Sequence, residues 1–289
     1  MQPPLNYTVL KKLLLFCLTL TVLLSCKEDK GLSNAKLEGG WLVLYPDHNQ
    51  LTRDQKKSYA MVQDSVVGLL GLKVLRLDAK GRFSQVDSLY KTPGEWELLP
   101  DAVIHITSGG KGLNVFYGKE AVLEKDILKM SEKIDAGAEQ VSIVWNLKRI
   151  TDKKYKPLFT DEGNNWRQHP VTSENKTAIT KRLLDMLEYY SLYYEIVSES
   201  TSFFVGQRVH LPFKYYQHGV GMVPFEPESP FASYFYNAEQ AQMAYDLLSD
   251  GMSELSNYGK YPSGKNYVIE YSMFMTKMKE TIAAQQGIK

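Results

Sequence analysis

The sequence predicts an α+β chain, with an N-terminal antiparallel β-barrel over residues 36–150 and a mainly α-helical region over residues 173–289. Two patterns carry this expectation. Short segments that alternate apolar and polar residues, each bounded by turn residues, follow one another through the first region. Apolar residues spaced by three and four take over in the second. Hydrophobic residues make up 44% and charged residues 23%, the mixture of a chain that folds. The 19 tyrosines can bury large areas in a core or an interface.

Residues 1–25 read as an export leader. Lys11 and Lys12 give a positive start, and Leu13 to Leu24 form an apolar run. That run is shorter than the ~20 residues of a membrane span and suits a secretory signal. It ends in Leu23-Leu24-Ser25-Cys26, with an aliphatic residue three before the Cys and a small residue directly before it. This resembles the lipobox of bacterial lipoproteins. The resemblance implies cleavage between Ser25 and Cys26 and acylation of Cys26, where two or more chains give a stable membrane anchor. Cys17 leaves with the leader, so Cys26 is the sole mature cysteine and no internal disulfide is expected. Lys27-Glu28-Asp29 resembles the surface-export signal of Bacteroidetes lipoproteins, which implies an outer-membrane, surface-exposed chain. The plainer reading of residues 26–35 is a polar tether.

Losing Lys11 and Lys12 with the leader takes the formal charge from +1 to −1. No clustered basic surface follows, and nucleic acid is not an expected partner.

The barrel region opens at Leu37-Glu38-Gly39-Gly40-Trp41, a Gly-led strand with a Trp. An insertion follows, in which Arg53 to Lys57 starts an expected short helix reaching Met61 and Val62. Gly71 to Leu77 alternates, Asp78-Ala79-Lys80-Gly81 turns, and Arg82 to Val86 is the next strand. Thr92-Pro93-Gly94 reads as a break before Glu95 to Leu98. Asp101 to Ile106, Leu113 to Tyr117 and Val141 to Leu147 are further strands, with Gly109-Gly110-Lys111-Gly112 as a turn. Between them Glu120 to Met130 carries apolar pairs at Val122, Leu123, Ile127 and Leu128. Gly39-Gly40-Trp41, the turn from Asp78 to Phe83, Gly94-Glu95-Trp96 and the basic tail Leu147-Lys148-Arg149-Ile150 resemble the lipocalin-like domains of Bacteroidetes lipoproteins. A closed barrel of about eight strands either encloses one small ligand or fills with side chains. Trp41, Trp96, Trp145 and the wall residue His105 are the candidate ligand contacts; core packing is the stronger expectation for the three tryptophans.

Residues 151–172 are polar and charged and read as a linker. A helix is expected from Ser173, capped by Thr172 or Ser173, with Ile179, Leu183, Met186, Leu187, Tyr190 and Tyr194 on one face. Tyr189-Tyr190 and Tyr193-Tyr194 could offer stacking surfaces to sugar rings, but a wide aromatic core stripe is the favoured reading. Phe203 to Pro230 is proline-broken and irregular. Asn237 caps a further helix, and a last one is expected from about Lys265 to Ala284. The helices are expected to pack on one another and on the outside of the barrel.

No catalytic or metal pattern emerges, and no cofactor is expected. The histidines, His48, His105, His169, His210 and His218, form no i, i+4 pair, and there is no Gly-x-Ser-x-Gly elbow. Asp64-Ser65-Val66 and Asp87-Ser88-Leu89 resemble short O-glycosylation acceptors. The reading is a non-enzymatic envelope lipoprotein that binds a small apolar ligand, a glycan or a partner protein. The alternatives are an interaction protein with a filled barrel, and a hydrolase whose site has no sequence signature.

Overall fold

The structure, a computed structural model, describes residues 31–44, 53, 74–86, 91–108, 114–136, 139–200, 211–214, 222–256 and 267–288. The leader, Cys26 and Lys27-Glu28-Asp29 lie outside the described residues. So do the helix expected beyond Arg53, both acceptor-like triplets, the turn at Gly109, and His48, His210 and His218.

Eight strands make up the first region: β1 Gly39–Leu44, β2 Val74–Leu77, β3 Arg82–Val86, β4 Lys91–Leu99, β5 Val103–Ser108, β6 Asn114–Glu124, β7 Ile127–Ala136 and β8 Glu139–Ile150. Each pairs antiparallel with the next, and β1 pairs with β8, so the sheet closes into an up-and-down barrel. Closure removes the strand edges that an open sheet would leave unpaired. The fold is therefore the expected α+β arrangement, a closed barrel followed by helices.

The period of two sets the core. Trp41, Val43, Leu75, Leu77, Phe83, Trp96, Ile104, Ile106, Phe116, Leu128, Met130, Ile143, Trp145 and Leu147 are buried together inside the barrel. Two stretches depart from the simple reading. Thr92-Pro93-Gly94 is no break but part of β4, because Gly94 lets β4 lie close against β5. A Cβ there would stand 2.0 Å from the Thr107 carbonyl oxygen. The stretch from Glu120 to Met130 is the end of β6 and the start of β7, with Val122 exposed, Leu128 buried and a bulge at its beginning. The β6–β7 register shifts between Lys119 and Val122, and Glu120 adopts a φ of 54°. The inward positions thus change from Phe116 and Gly118 to Ala121 and Leu123.

A short helix, α1 (Asn34–Leu37), precedes β1, and three long helices follow the barrel: α2 Lys176–Val197, α3 Ala238–Ser256 and α4 Tyr267–Gln285. Asn175 caps α2, its Oδ1 accepting from the Ala178 N–H at 2.9 Å. The expected cap Ser173 is engaged otherwise, accepting 2.7 Å from the Gln240 side chain of α3. Asn237 caps α3 as expected, accepting from the Gln240 N–H at 2.9 Å.

Residues 151–172 do not form a free linker. They carry two 3₁₀ turns, Lys153–Leu158 and Glu162–Arg167, which bury Tyr155, Leu158 and Trp166 in the helical core. Asn164 holds the turns together by donating to the carbonyls of Pro157, Leu158 and Thr160. Apart from Asn164, the polar and charged residues that suggested a linker, such as Lys153, Lys156, Asp161, Glu162 and Asn165, lie on the outside of this knot. The helical layer packs on the outer barrel face through Leu42, Val74 and Val86, each of which is buried in the helical core and not in the barrel core.

Gly94→Ala should destabilise the chain by about 2–3 kcal/mol, the scale of overpacking, and should lower the urea midpoint with little change in the slope.

Candidate functional site

One end of the barrel is sealed. Ser33 caps α1 by accepting from the Lys36 N–H, and α1 drives Leu37 into the barrel core. Trp41 lies beneath it, fully buried, and donates its indole N–H to the Leu37 carbonyl at 2.9 Å. The Arg149 guanidinium sits over the Trp41 ring, 4.2 Å from its centroid, and donates to the Glu38 carbonyl at 2.6 Å and to the Lys36 carbonyl. One cation therefore ties β8 to both the plug helix and the first strand. The Gly-Gly pair before Trp41 is demanded by this crowding. Gly39 has a φ of +140°, with Arg149 3.0 Å from where a Cβ would be, and a Cβ on Gly40 would lie 3.0 Å from the Phe159 ring.

Trp96 closes the same end from the other side, donating to the Asp78 carbonyl at 2.9 Å. Asp78 organises its own turn, its carboxylate accepting from the Lys80 and Arg82 N–H groups at 2.9 Å each. Burial alone would raise the Asp78 pKa, but these bonds and the Arg82 side chain outweigh it and hold the carboxyl below its ordinary range.

Away from the plug the interior turns polar. Gln85, near the far end of β3, and Ser108, the last residue of β5, are buried on inward positions. Glu132, half-buried on β7, accepts from the Trp145 indole N–H at 2.9 Å. Burial pushes the Glu132 carboxyl above its ordinary pKa, against the opposing pull of the Trp145 bond. This is the arrangement of an apolar floor with hydrogen-bonding groups above it.

The barrel brings Trp41, Trp96 and Trp145 into one interior but does not bring His105 there. His105 follows the opposite parity to its buried neighbours Ile104 and Ile106, so it stands on the outer wall. There its Nδ1 is 2.8 Å from Glu97 Oε1, and its ring lies flat against Tyr117, with centroids 4.6 Å apart and planes 10° from parallel. Glu97, Tyr117 and Glu132 were not singled out from the sequence. Strand parity could have grouped Glu97 with His105 only if the β4–β5 register had been known. Glu132 sits among charged residues and reads there as solvated.

The tyrosine cluster of α2 is core. Tyr189, Tyr190, Tyr193 and Tyr194 are all buried, and the Trp166 ring lies 5.4 Å from Tyr189, 5.7 Å from Tyr190 and 5.1 Å from Tyr234. Arg167 stands 4.4 Å from the Trp166 and the Tyr189 ring centroids. Burial drives the phenols of Tyr190 and Tyr194 well above their ordinary pKa, so both stay neutral. No ring of this cluster is presented to a ligand in solution.

Among the described residues, no three His, Cys, Asp or Glu side chains gather as a metal site. No described helix is long and apolar enough to cross a membrane.

Glu132→Gln tests the interior carboxylate. A raised folded-state pKa gives a contribution that is fully present below the ordinary carboxylate range and is lost as pH rises through the shifted value. The Gln variant should therefore match the parent in acid and exceed it in urea stability at pH near 8, measured as paired denaturation curves across pH.

Comparison with protein-family models, with curated proteins and with solved structures gave no match.

Proposed function

We propose that this chain is a non-enzymatic, lipid-anchored lipoprotein of the bacterial envelope, of the lipocalin-like type its motifs resemble. Its barrel takes a small, largely apolar ligand that carries at least one hydrogen-bonding group. The observation that carries this reading is the gradient inside the barrel. The end beside α1 is closed by Leu37, Trp41 and Arg149, while Gln85, Ser108 and Glu132 lie on inward positions farther along. Glu132 already accepts from Trp145, and a carboxylate keeps acceptor capacity after one bond, so a hydrogen-bonding guest can engage it as well. A ligand with an apolar body and a polar group matches both parts.

A hydrolytic reading rests on the His105–Glu97 pair, since a carboxylate-oriented imidazole is the usual partner of an activated hydroxyl. Among the described residues, however, no hydroxyl stands in hydrogen-bond contact with the His105 ring. The ring's described contacts are Glu97 and Tyr117. That arrangement supports recognition over catalysis.

The anchor and the ligand are tested separately. Metabolic labelling with a palmitate analogue should mark the wild-type chain in the membrane fraction, and Cys26→Ala should lose both label and membrane retention. A variant that keeps both would refute the anchor. The unlipidated Cys26→Ala chain, studied by native mass spectrometry and solvent extraction, should release a co-purifying small molecule. Ser108→Trp, which fills the upper interior, should abolish it. No bound species, together with no displaceable binding of a fluorescent fatty acid, would remove the ligand-carrying reading and leave the filled-barrel one.

A further inference from the structure

The point at which the chain enters the barrel is fixed at the closed end. Leu32 packs against the barrel core, and the Lys36 ammonium donates to the Gly31 carbonyl at 3.0 Å. The Leu37 N–H donates to the Ser33 carbonyl at 3.1 Å, and Arg149 ties the Lys36 and Glu38 carbonyls to β8. Gly31 is thus held at this end. The strand directions show which parts of the wall share it. β1 starts there, with Gly39 opposite Leu77 at the end of β2 and Gly40 opposite Ile150 at the end of β8. The connections 78–81, 100–102 and 125–126 therefore lie at the closed end. Ser108, Lys133 and Ser142 lie toward the other end, on the side of Gln85 and Glu132.

Two lengths then decide how the barrel can stand on a membrane. Four residues, Lys27 to Lys30, separate Gly31 from Cys26. The five Cα steps between those two residues span at most ~18 Å when fully extended. Strand β8 has 12 residues. At a rise of ~3.3 Å per residue and a tilt of about 40°, that makes the barrel roughly 28 Å tall. The tether is shorter than the barrel. With acyl chains on Cys26 in a bilayer, the polar end cannot be turned onto the lipid surface, because Gly31 would then stand beyond the reach of its own anchor. The turns of the closed end expose Lys80, Asp101, Lys125 and Asp126. Such charges stay among headgroups and out of hydrocarbon.

We propose that the short tether holds the closed end of the barrel, with α1 and the turns 78–81 and 125–126, against the headgroups of the anchoring bilayer, and turns the polar end of the interior away from it. The inference rests on the lipid anchor at Cys26 and is independent of whether the interior holds a ligand. Its consequence for a guest is directional. A molecule entering by the polar end arrives from the aqueous side and is not drawn from the leaflet beneath.

The test uses the whole acylated chain in phosphatidylethanolamine–phosphatidylglycerol vesicles that contain a lipid with a nitroxide on its headgroup. A bimane dye is placed on single exposed positions: Lys80→Cys and Lys125→Cys at the closed end, Lys133→Cys and Ser142→Cys toward the other. The acylated Cys26 thiol takes no dye. Flotation and circular dichroism show that each labelled chain is bound and folded. The nitroxide should quench the two closed-end dyes at least about twofold more than the other two. Inserting about twelve Gly and Ser residues between Lys30 and Gly31 lengthens the reach to ~60 Å and should erase that difference. Equal or stronger quenching at Lys133→Cys and Ser142→Cys overturns the proposal and leaves the anchor standing. A difference that survives the long tether overturns it as well, because the tether is then not what sets the orientation. A chain that does not float with the vesicles overturns both the orientation and the anchor.

Discussion

Strand β1 is buried on both faces, and the rest of the molecule is arranged around that constraint. Trp41 and Val43 point into the barrel, while Leu42 belongs to the helical core. Most barrel strands need apolar residues on one face only, because water covers the other. A strand with two apolar faces can be satisfied only where two layers meet. The pairing of β1 with β8 closes the barrel along this strand, and the chain leaving β8 at Ile150 runs directly into the 3₁₀ turns that cover its outer face. Closure of the barrel and docking of the helices therefore meet on this strand, and Val74 of β2 and Val86 of β3 extend the docked face. The two glycines ahead of Trp41 serve the same end. Gly39 makes room for Arg149 and Gly40 for Phe159, one partner for each layer.

The three barrel tryptophans have their polar atoms answered by the protein itself. Trp41 donates to Leu37, Trp96 to Asp78 and Trp145 to Glu132. A buried indole with its N–H already engaged contributes area and rigidity, and has no donor left for a ligand. The first two seal the floor. Trp145 differs because its partner is a carboxylate, which retains acceptor capacity after one bond. Glu132 is thus the point at which packing of the barrel gives way to a chemistry that a guest could use.

The strands with a single buried face were legible in the sequence, because a period of two survives wherever one side is wet. Asp101 to Ile106 is an example, overlapping β5, where Ile104 and Ile106 are buried and His105 between them faces outward. Legibility failed where a local feature depended on a distant partner. The reach of β4 back through Pro93 and Gly94 depends on how closely β5 approaches. The bulge at Lys119 to Val122 reverses the inward parity and leaves no mark in composition. Trp166 looked like part of a polar linker because its neighbours are Asn164, Asn165 and Arg167, yet it centres the aromatic core of the helical layer. The tyrosines of α2 were readable as a core stripe from their spacing; the tryptophan that Tyr189 and Tyr190 pack against was not, since no period connects it to them. Likewise the Trp41 end of the barrel could be anticipated from Gly39-Gly40-Trp41, whereas the outward aim of His105 required the strand register.

The placement of the helices also decides which part of the barrel wall stays free. They cover the flank that carries Leu42, Val74 and Val86, on β1, β2 and β3. The exposed large apolar residues of the barrel lie elsewhere: Val115, Tyr117 and Val122 on β6 and Val144 on β8. Scattered apolar residues on a surface need no special account. Tyr117 is different in kind, because its ring is held parallel to an imidazole that is itself held by Glu97, and two linked contacts restrict the freedom that an isolated surface side chain keeps. An ordered aromatic face loses less entropy when something stacks on it. Among the described residues, Tyr117 of β6 stays exposed with its ring against His105, which Glu97 in turn holds.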